Sequence, residues 1–294
     1  MKGFTSRATA VALAVLAHVA LAAANPIVLH DALQREVRFA RPPERIITLL
    51  PSLTEMVCAL DACGRLVATD RFSNFPASVR TLPKAGGLDD AQIELIVSLK
   101  PDVVLLSHVA RLTDRLQELG VVNFVIETET YADIGRAADT IGAMLGSPQR
   151  AAALRRAMLS AVDEVARQSQ RALGARSPLV YYEVDAAPYA AGPQSFIGTL
   201  LARLGARNIV TAELGAFPAL NPEYVVLHDP DVIFASPADA GNLGRRPGWD
   251  RIRAVREHRV CAFSADVRDT IVRPGPRVAE GMQAIADCLD RVAP

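Results

Sequence analysis

The sequence has no excess of either charge and few aromatic residues. Its 294 residues include 32 Lys and Arg against 32 Asp and Glu, and only 5% are aromatic. Nucleic-acid-binding proteins usually carry a basic surplus, so this balance argues against a nucleic-acid partner. Half of the residues are hydrophobic, which is ample for a packed core and argues against disorder. The length suits one large domain or two of about 130 residues each.

Several motifs that indicate catalysis or metal binding are also absent. The sequence has no GxSxG nucleophile elbow, no phosphate-binding P-loop and no GxGxxG fingerprint. It has no CxxC, no HxH and no His pair four residues apart, so a zinc-type site is not predicted. Asp89-Asp90 and the pair Glu127 and Glu129 could supply acids, but no nucleophile or base accompanies them. An exported hydrolase is therefore the weaker alternative to a binding protein.

Residues 1–24 have the pattern of a cleavable secretory signal. Lys2 and Arg7 precede an apolar run that ends in small residues at Ala22-Ala23-Ala24. The run is short for a membrane span, which needs about 20 apolar residues, and no later stretch is long enough. No Cys follows it, so no lipoprotein anchor is expected. We therefore predict export to the periplasm without stable membrane insertion after cleavage. Removal of Lys2 and Arg7 would leave 30 basic and 32 acidic residues.

Export would place the four cysteines in an oxidising compartment, where disulfides can form. Cys58 and Cys63 flank a predicted helix end, where a turn could bring them together. Cys261 lies in a predicted strand and Cys288 in the last predicted helix. Pairing of near neighbours, Cys58 with Cys63 and Cys261 with Cys288, is the simplest expectation.

The chain contains an internal repeat. KPDVVLLS at 100–107 recurs as DPDVIFAS at 229–236, and the match extends upstream without a gap. In this register Glu94 falls on Glu223. Each copy has the pattern of an amphipathic helix followed by a continuous apolar strand, which is half of a parallel α/β unit.

Strand and helix patterns alternate through both halves of the chain. Further strands are predicted at 45–50, 66–69, 123–126, 179–184 and 260–263, and further helices at 110–119, 195–204 and 274–291. Another helix begins at Pro51, with Ser52 or Thr54 as its cap and Glu55 in its first turn. This alternation predicts an α/β fold with two Rossmann-like lobes, mostly parallel sheets and a hydrophobic core in each lobe.

A long helix is predicted between the halves, at 147–174. Ser147 is a candidate N-cap, Pro148 suits the first helical position, and Gly174 suits the exit. An apolar stripe runs along it, formed by Leu154, Met158, Ala161, Val165 and Ala172. At 1.5 Å per residue the helix would be about 38 Å long. We thus expect an N-terminal lobe at 25–146 and a C-terminal lobe at 175–294, joined by this helix.

Two α/β lobes on one long helix, behind an export signal, resemble the helical-backbone (class III) periplasmic binding proteins of ABC importers. Four segments lie in the family's order: RIITLLPSLTE (45–55), LVATDRFSNFP (66–76), GGLDDAQIELIVSLKPDVVLLS (86–107) and PYAAGPQSFIGTLLARLGARNIV (188–210). The sequence is most similar to the cobalamin binders of this family, which also carries ferric siderophores and haem. The resemblance implies no catalysis and no cofactor. It implies reversible capture of a metal chelate, above all cobalamin or another corrinoid, with haem or a ferric siderophore as alternatives.

The resemblance also implies which residues touch the ligand. Phe72, Tyr189 and Phe217 match positions where aromatic residues contact the corrin, whereas Leu88 and Ser107 stand where tryptophans do so in the family. Large flat side chains suit a macrocycle, because they supply contact area at little cost in rotamer entropy. Ordinary packing of the loops is the alternative role for Phe72 and Phe217.

Arginine and histidine residues supply further candidates. Arg268, Arg273 and Arg277 surround a Pro-Gly-Pro loop and could reach phosphate, amide or carboxylate groups in the cleft. Their alternative role is surface charge. His108 follows a strand end and is the candidate axial ligand to a chelated cobalt or iron, with Tyr189 as its rival for haem.

Glu94 and Glu223 are predicted to dock onto the importer. In the family, one Glu on each lobe meets arginines of the two transmembrane subunits. Such complementary charge would set orientation and association rate more than affinity. The alternative is that each Glu simply stabilises the first turn of its helix.

The segment 245–259 carries six arginines, which could suggest a nucleic-acid site. Asp250 and Glu257 interrupt it, while Trp249, Ile252 and Val255 have helical spacing. We expect a solvated helix face packed through its Trp.

Overall fold

The computed structural model describes residues 26–108, 110–185 and 189–294. The predicted signal peptide, residues 1–24, lies outside these ranges. No helix within them is both long and apolar enough to span a bilayer.

The N-terminal lobe consists of a hairpin and a four-stranded parallel sheet with flanking helices. Its strands are β1 (Ile27–His30), β2 (Glu36–Phe39), β3 (Ile46–Thr48), β4 (Leu66–Thr69), β5 (Val103–Leu106) and β6 (Asn123–Val125). Its helices are α1 (Pro51–Ala59), α2 (Ile93–Ser98), α3 (Ala110–Glu118) and α4 (Tyr131–Met144). Strands β1 and β2 pair antiparallel, and the parallel sheet has the order β4-β3-β5-β6. Strands β3, β5 and β6 are entirely buried, as is typical of a parallel sheet covered on both faces.

Helix α5 (Pro148–Leu173) follows the N-terminal lobe. Its 26 residues span about 39 Å. Pro148 occupies the first turn and Gly174, at φ 63°, ends the helix. Helix α4 lies so close that a Cβ on Gly142 would stand 2.1 Å from the Cβ of Ala151, so this contact requires glycine.

The predicted N-cap of the helix was right, whereas its predicted buried stripe was partly wrong. Ser147 occupies the N-cap position, although its hydroxyl is buried, forms no capping hydrogen bond and has no partner among the described residues. Met158 and Val165 are buried as expected, but Ala161 and Ala172 are exposed. The buried face instead continues through Val162, Ala166, Ser169 and Leu173, because the helix is covered from two sides and its buried stripe is wider than a single row.

The C-terminal lobe repeats the plan of the first. Its strands are β7 (Leu179–Asp185), β8 (Tyr189–Ala190), β9 (Arg207–Asn208), β10 (Val232–Ala235) and β11 (Val260–Ala262). Its helices are α6 (Phe196–Arg203), α7 (Pro222–His228), α8 (Pro237–Ala240), α9 (Arg253–Arg256), α10 (Ala265–Val272) and α11 (Val278–Val292). Helix α11 thus begins four residues later than predicted. Strands β9, β7, β10 and β11 lie side by side in parallel, and β8 pairs antiparallel with β7. The predicted α/β class with mostly parallel sheets is confirmed.

The internal repeat is visible in the backbone. The order β4-β3-β5-β6 corresponds to β9-β7-β10-β11, with the repeated segments forming β5 and β10. Lys100 and Asp229, at equivalent positions, both have positive φ, 46° and 43°. Asp102 and Asp231, also at equivalent positions, each accept a hydrogen bond from a backbone N–H. Asp102 Oδ2 accepts the Arg45 N–H at 2.9 Å, and Asp231 Oδ2 accepts the Leu179 N–H at 2.8 Å.

The core differs from the two separate cores that we predicted. The largest buried cluster crosses both lobes and α5, since it includes Phe124, Val162 and Phe234. Each sheet has a smaller cluster on its other face, around Val104 in the first lobe and Trp249 in the second. The long helix is therefore packed into the shared core.

Both predicted cysteine pairs are joined. Cys58–Cys63 links the end of α1 to the turn that follows it. Cys261–Cys288 links β11 to α11.

The arginine-rich segment is not the single helix that we expected. It forms the short turns Leu243–Arg245 and Trp249–Arg251 and helix α9. Trp249 is fully buried, as predicted. Arg246 pairs with Glu183, and Arg253 with Asp229. The two glycines and the proline at 244–248 break the helical pattern.

Candidate ligand-binding cleft

A cleft of about 780 Å³ lies between the lobes. Its N-terminal wall is built from residues that follow the strands of the first sheet: Ser52 after β3, Phe72 after β4, Ser107 after β5 and Glu129 after β6. Because these strands are parallel, their carboxyl ends meet at one edge, which is where α/β proteins bind ligands. The volume lies within the usual range of about 300–1,000 Å³ for small-molecule sites.

The opposite wall comes from the C-terminal lobe. It contains the end of β7, the start of α6, the 216–217 loop and the end of α10 with the residues after it. Most of the lining is apolar: Leu50, Pro51, Phe72, Leu88, Val184, Phe196, Ile197, Ala216, Phe217, Val272 and Pro274. Hydroxyl and amide groups are interspersed, from Ser52, Ser107, Thr128, Thr130, Gln194 and Ser195.

Phe72 extends an exposed ring from a fixed backbone. The residue is 60% exposed. Its N–H donates to Asp70 Oδ1 at 2.8 Å, and its carbonyl accepts from Arg273 Nη2 at 3.0 Å. An exposed ring on a backbone held from both sides is preorganised for contact, because little entropy remains to be lost on binding.

Phe217 has a similar arrangement on the other lobe, with 54% of the residue exposed. The carbonyls on either side of it are held: Gly192 N–H donates to Ala216 O at 2.8 Å, and Ala190 N–H to Pro218 O at 3.0 Å. A Cβ on Gly192 would lie 2.2 Å from Gly215 O, so this close approach requires glycine. Each lobe thus presents one exposed ring to the cleft.

A buried polar chain supports the Phe72 turn. Thr54 Oγ1 lies 2.6 Å from Thr48 Oγ1 and 2.7 Å from Ser73 Oγ, and Ser73 donates to Asp70. Burial raises the pKa of Asp70 above its usual 3.8, against the opposing effects of the hydrogen bonds and Lys84. The prediction that Ser52 or Thr54 caps α1 was wrong. Leu50 is the N-cap and Pro51 the first helical residue, so Thr54 lies inside the helix and faces the sheet.

A buried ion-pair network joins the lobes beneath the cleft. Glu55, on α1, is 2% exposed; its Oε1 accepts from Arg273 Nη1 at 2.9 Å and from Arg277 Nη2 at 2.7 Å. Arg277 also donates to Glu55 Oε2 at 2.9 Å and stacks on the ring of Phe75. The prediction that Glu55 lies in the first turn of α1 was wrong, because the helix begins at Pro51. The ion-pair role of Glu55 could not be found from local sequence, because its partners are more than 200 residues away.

Arg273 lies where the network meets the cleft. Besides Glu55 and the Phe72 carbonyl, it donates to Asn74 Oδ1 at 2.8 Å and to Asp269 Oδ2 at 2.7 Å. Both terminal nitrogens are therefore committed to protein acceptors. Although Arg273 lines the cleft, its hydrogen bonds hold the site together.

The structure brings together some of the predicted ligand contacts and not others. The cleft is lined by five of them: Phe72, Leu88, Ser107, Phe217 and Arg273. Arg268 opens onto a smaller adjoining pocket that also contains Tyr182 and Asp239. His108 and Tyr189 are exposed and outside the lining. Within the described residues, no group of three or more His, Cys, Asp or Glu side chains could hold a metal ion. The roles of all these residues remain predictions.

The two predicted docking residues occupy equivalent places. Glu94 lies in the first turn of α2 and Glu223 in the first turn of α7, and both are exposed. Neither carboxylate forms a salt bridge with a described residue. Their docking role remains a prediction.

The comparisons with known proteins agree with this architecture. A family model described as periplasmic binding protein matches residues 46–267, which include both walls of the cleft up to α10. The chain belongs to the periplasmic binding protein family. As a periplasmic binding protein it serves transport and is not an enzyme, as the sequence predicted.

The periplasmic binding protein has relatives along most of its length. A cobalamin-binding protein of Halobacterium salinarum is 29% identical over 275 residues, covering 90% of this chain and 74% of that protein. An uncharacterised ABC transporter substrate-binding lipoprotein of Bacillus subtilis (strain 168) is 26% identical over 273 residues, covering 90% of this chain and 85% of that protein.

Solved structures share the same fold. The periplasmic vitamin B12-binding protein of Vibrio cholerae aligns with a TM-score of 0.73 at 23% identity, over 85% of this chain and 98% of that one. A periplasmic haem-binding protein from Roseiflexus sp. RS-1 aligns with a TM-score of 0.74 at 22% identity, over 85% of this chain and 99% of that one. At these identities the likeness shows the two-lobed fold alone.

Proposed function

We propose that this protein captures a bulky metal chelate, cobalamin or another corrinoid, between its lobes and delivers it to an ABC importer. The observation that carries the proposal is the pair of exposed rings, Phe72 and Phe217, one on each wall of an apolar cleft. Flat aromatic faces on rigid backbones suit a macrocycle. No chemistry is needed beyond reversible binding and release.

The relatives support the same ligand class. The cobalamin-binding protein of H. salinarum is 29% identical to this chain over 90% of its length. Haem is the second candidate, since a haem-binding protein shares the fold; a ferric siderophore is the third. The proposal places the protein in the periplasm, exported through the signal at residues 1–24. It places the docking contacts to the two transmembrane subunits at Glu94 and Glu223.

Calorimetric titration of the purified protein with cyanocobalamin, haem and ferric siderophores tests the proposal. We expect cyanocobalamin to bind one per chain with a Kd of about 1 μM or lower, which corresponds to roughly −8 kcal/mol. Removal of the projecting ring in Phe72→Ala or Phe217→Ala should cost about 2 kcal/mol each, roughly a 30-fold increase in Kd.

Leu227→Ala provides the matched control. This Leu is 81% exposed on α7 and outside the cleft, so its loss should leave the Kd unchanged. No binding of any of the three ligands, or turnover of a small ester or phosphate, would contradict the proposal.

A further inference from the structure

Two arginines at the cleft are already paired with carboxylates. Arg71, at the rim beside Phe72, forms a two-point ion pair with Asp90. Arg273, the one arginine among the described lining residues, pairs with Glu55 and Asp269. The cleft therefore offers no free cation from its described lining to an anionic ligand.

One carboxylate in the cleft has no such partner. Glu129 follows β6 and lines the N-terminal wall. Its backbone N–H donates to Asp133 Oδ2 at 3.2 Å, which fixes the main chain. No described residue forms a salt bridge or a hydrogen bond with its side-chain oxygens. With Arg273 and Asp269 paired, the charge left over in the lining is the negative charge of Glu129.

We infer that Glu129 selects the charge of the ligand: the cleft accepts chelates with an uncharged, amide-bearing edge and rejects chelates with an anionic edge. This inference rests on the proposed function and narrows its ligand class. A carboxylate in a mostly apolar cleft accepts N–H groups through charge-assisted hydrogen bonds. Glu129 is exposed to solvent, so a ligand carboxylate brought against it would meet like charge as the bound ligand displaces the water between them.

The inference separates the candidates of the proposed function. Corrinoids carry peripheral amides, whereas haem carries propionates. The favourable contact and the repulsion come from one side chain, so Glu129 both attracts the first class and excludes the second. Arg268, which forms no ion pair with a described residue, is outside the cleft lining and opens onto an adjoining pocket that shares Val184, Asp269 and Val272 with the cleft.

Two pairs of ligands that differ in charge test the inference. The first is cyanocobalamin against its monocarboxylic acid, in which one peripheral amide is hydrolysed. The second is haem dimethyl ester against haem. The wild-type protein should bind the neutral member of a pair at least about tenfold more tightly, equivalent to about 1.4 kcal/mol. In Glu129→Gln this ratio should fall to about twofold or less, and in Glu129→Lys it should reverse.

Glu127→Gln is the matched control. Glu127 lies two residues upstream, is exposed, and faces a different pocket that contains His30. Its loss should leave the ratio at the wild-type value, and circular dichroism should show all variants folded. An unchanged ratio in Glu129→Gln, or an equal change in Glu127→Gln, would overturn the inference while cyanocobalamin binding still supports the proposed function. If none of the four ligands binds, the inference fails, and the proposed function fails with it unless a ferric siderophore binds.

Discussion

At the residue scale, the site depends on how firmly two rings are held. Phe72 and Phe217 could be found from the sequence, because each follows a strand in a proline-containing loop. What holds them could not. Asp70 and Ser73 are close in sequence, but nothing in their spacing shows that they bind each other and the Phe72 N–H. The same is true of Glu129, whose spacing in the sequence suggests only an acid pair with Glu127.

Asp70 should show a pH-dependent cost to stability. Burial raises its pKa, so the folded state binds this proton more tightly than the unfolded state does. The stability that it contributes is therefore present below pH 3.8 and is lost as the pH rises through its folded pKa. Asp70→Asn keeps an acceptor for the Phe72 N–H without the charge. We expect it to match the wild type near pH 3.8 and to equal or exceed it at neutral pH, by up to about 1 kcal/mol.

Urea unfolding of both proteins across this pH range measures the difference. Asp70→Ala removes the acceptor as well and should lose about 1–3 kcal/mol at every pH. If Asp70→Asn were as unstable as Asp70→Ala at neutral pH, the charge rather than the hydrogen bonds would be what the fold requires.

At the element scale, the local pattern predicted most strands and helices, and contacts distant in sequence decided the rest. The mostly apolar segments that form β3, β5, β7 and β10 predicted strands, and the structure has strands there. The buried stripe of α5 was partly misplaced, because it depends on which neighbours cover the helix. The network of α1 with the α10–α11 connection was missed for the same reason, since Glu55 and Arg273 are 218 residues apart.

Removal of the Glu55 carboxylate should lower the free energy of unfolding substantially. Glu55→Gln would leave Arg273 and Arg277 partly buried without their shared carboxylate. Removal of one partner from a buried ion pair costs about 3–5 kcal/mol. Glu164→Gln breaks an exposed pair with Arg167 on α5 and should cost less than about 0.5 kcal/mol. Chemical unfolding that places Glu55→Gln within 1 kcal/mol of the control would show that the network contributes little.

At the scale of the whole molecule, the internal repeat is what the sequence predicted best. It places Glu94 and Glu223 on equivalent helices before any partner is considered. The net charge of zero gives no indication of this arrangement, because net charge does not show where the charged residues lie. The shared core could not be predicted, since periodicity shows which face of an element is apolar but not which element covers it.

Reversal of both charges should separate docking from binding. We expect Glu94→Lys with Glu223→Lys to abolish importer-dependent uptake in cells while the ligand Kd stays within about twofold of the wild type. Asp114→Lys with Asp250→Lys reverses one exposed acid per lobe elsewhere and should leave uptake intact. Loss of ligand affinity in the first variant would place these residues in binding instead, and equal uptake by the two variants would remove the docking role.

The central claim is that this cleft holds a metal chelate. Native mass spectrometry, together with the visible absorbance spectrum of the protein purified from its own periplasm, tests that claim most directly. The account predicts one coloured chelate per chain, with the mass and absorbance of a corrinoid, lost when Phe72 and Phe217 are both replaced by Ala. A colourless protein that carries an unrelated small molecule in the cleft, and keeps it in the double variant, would contradict the account.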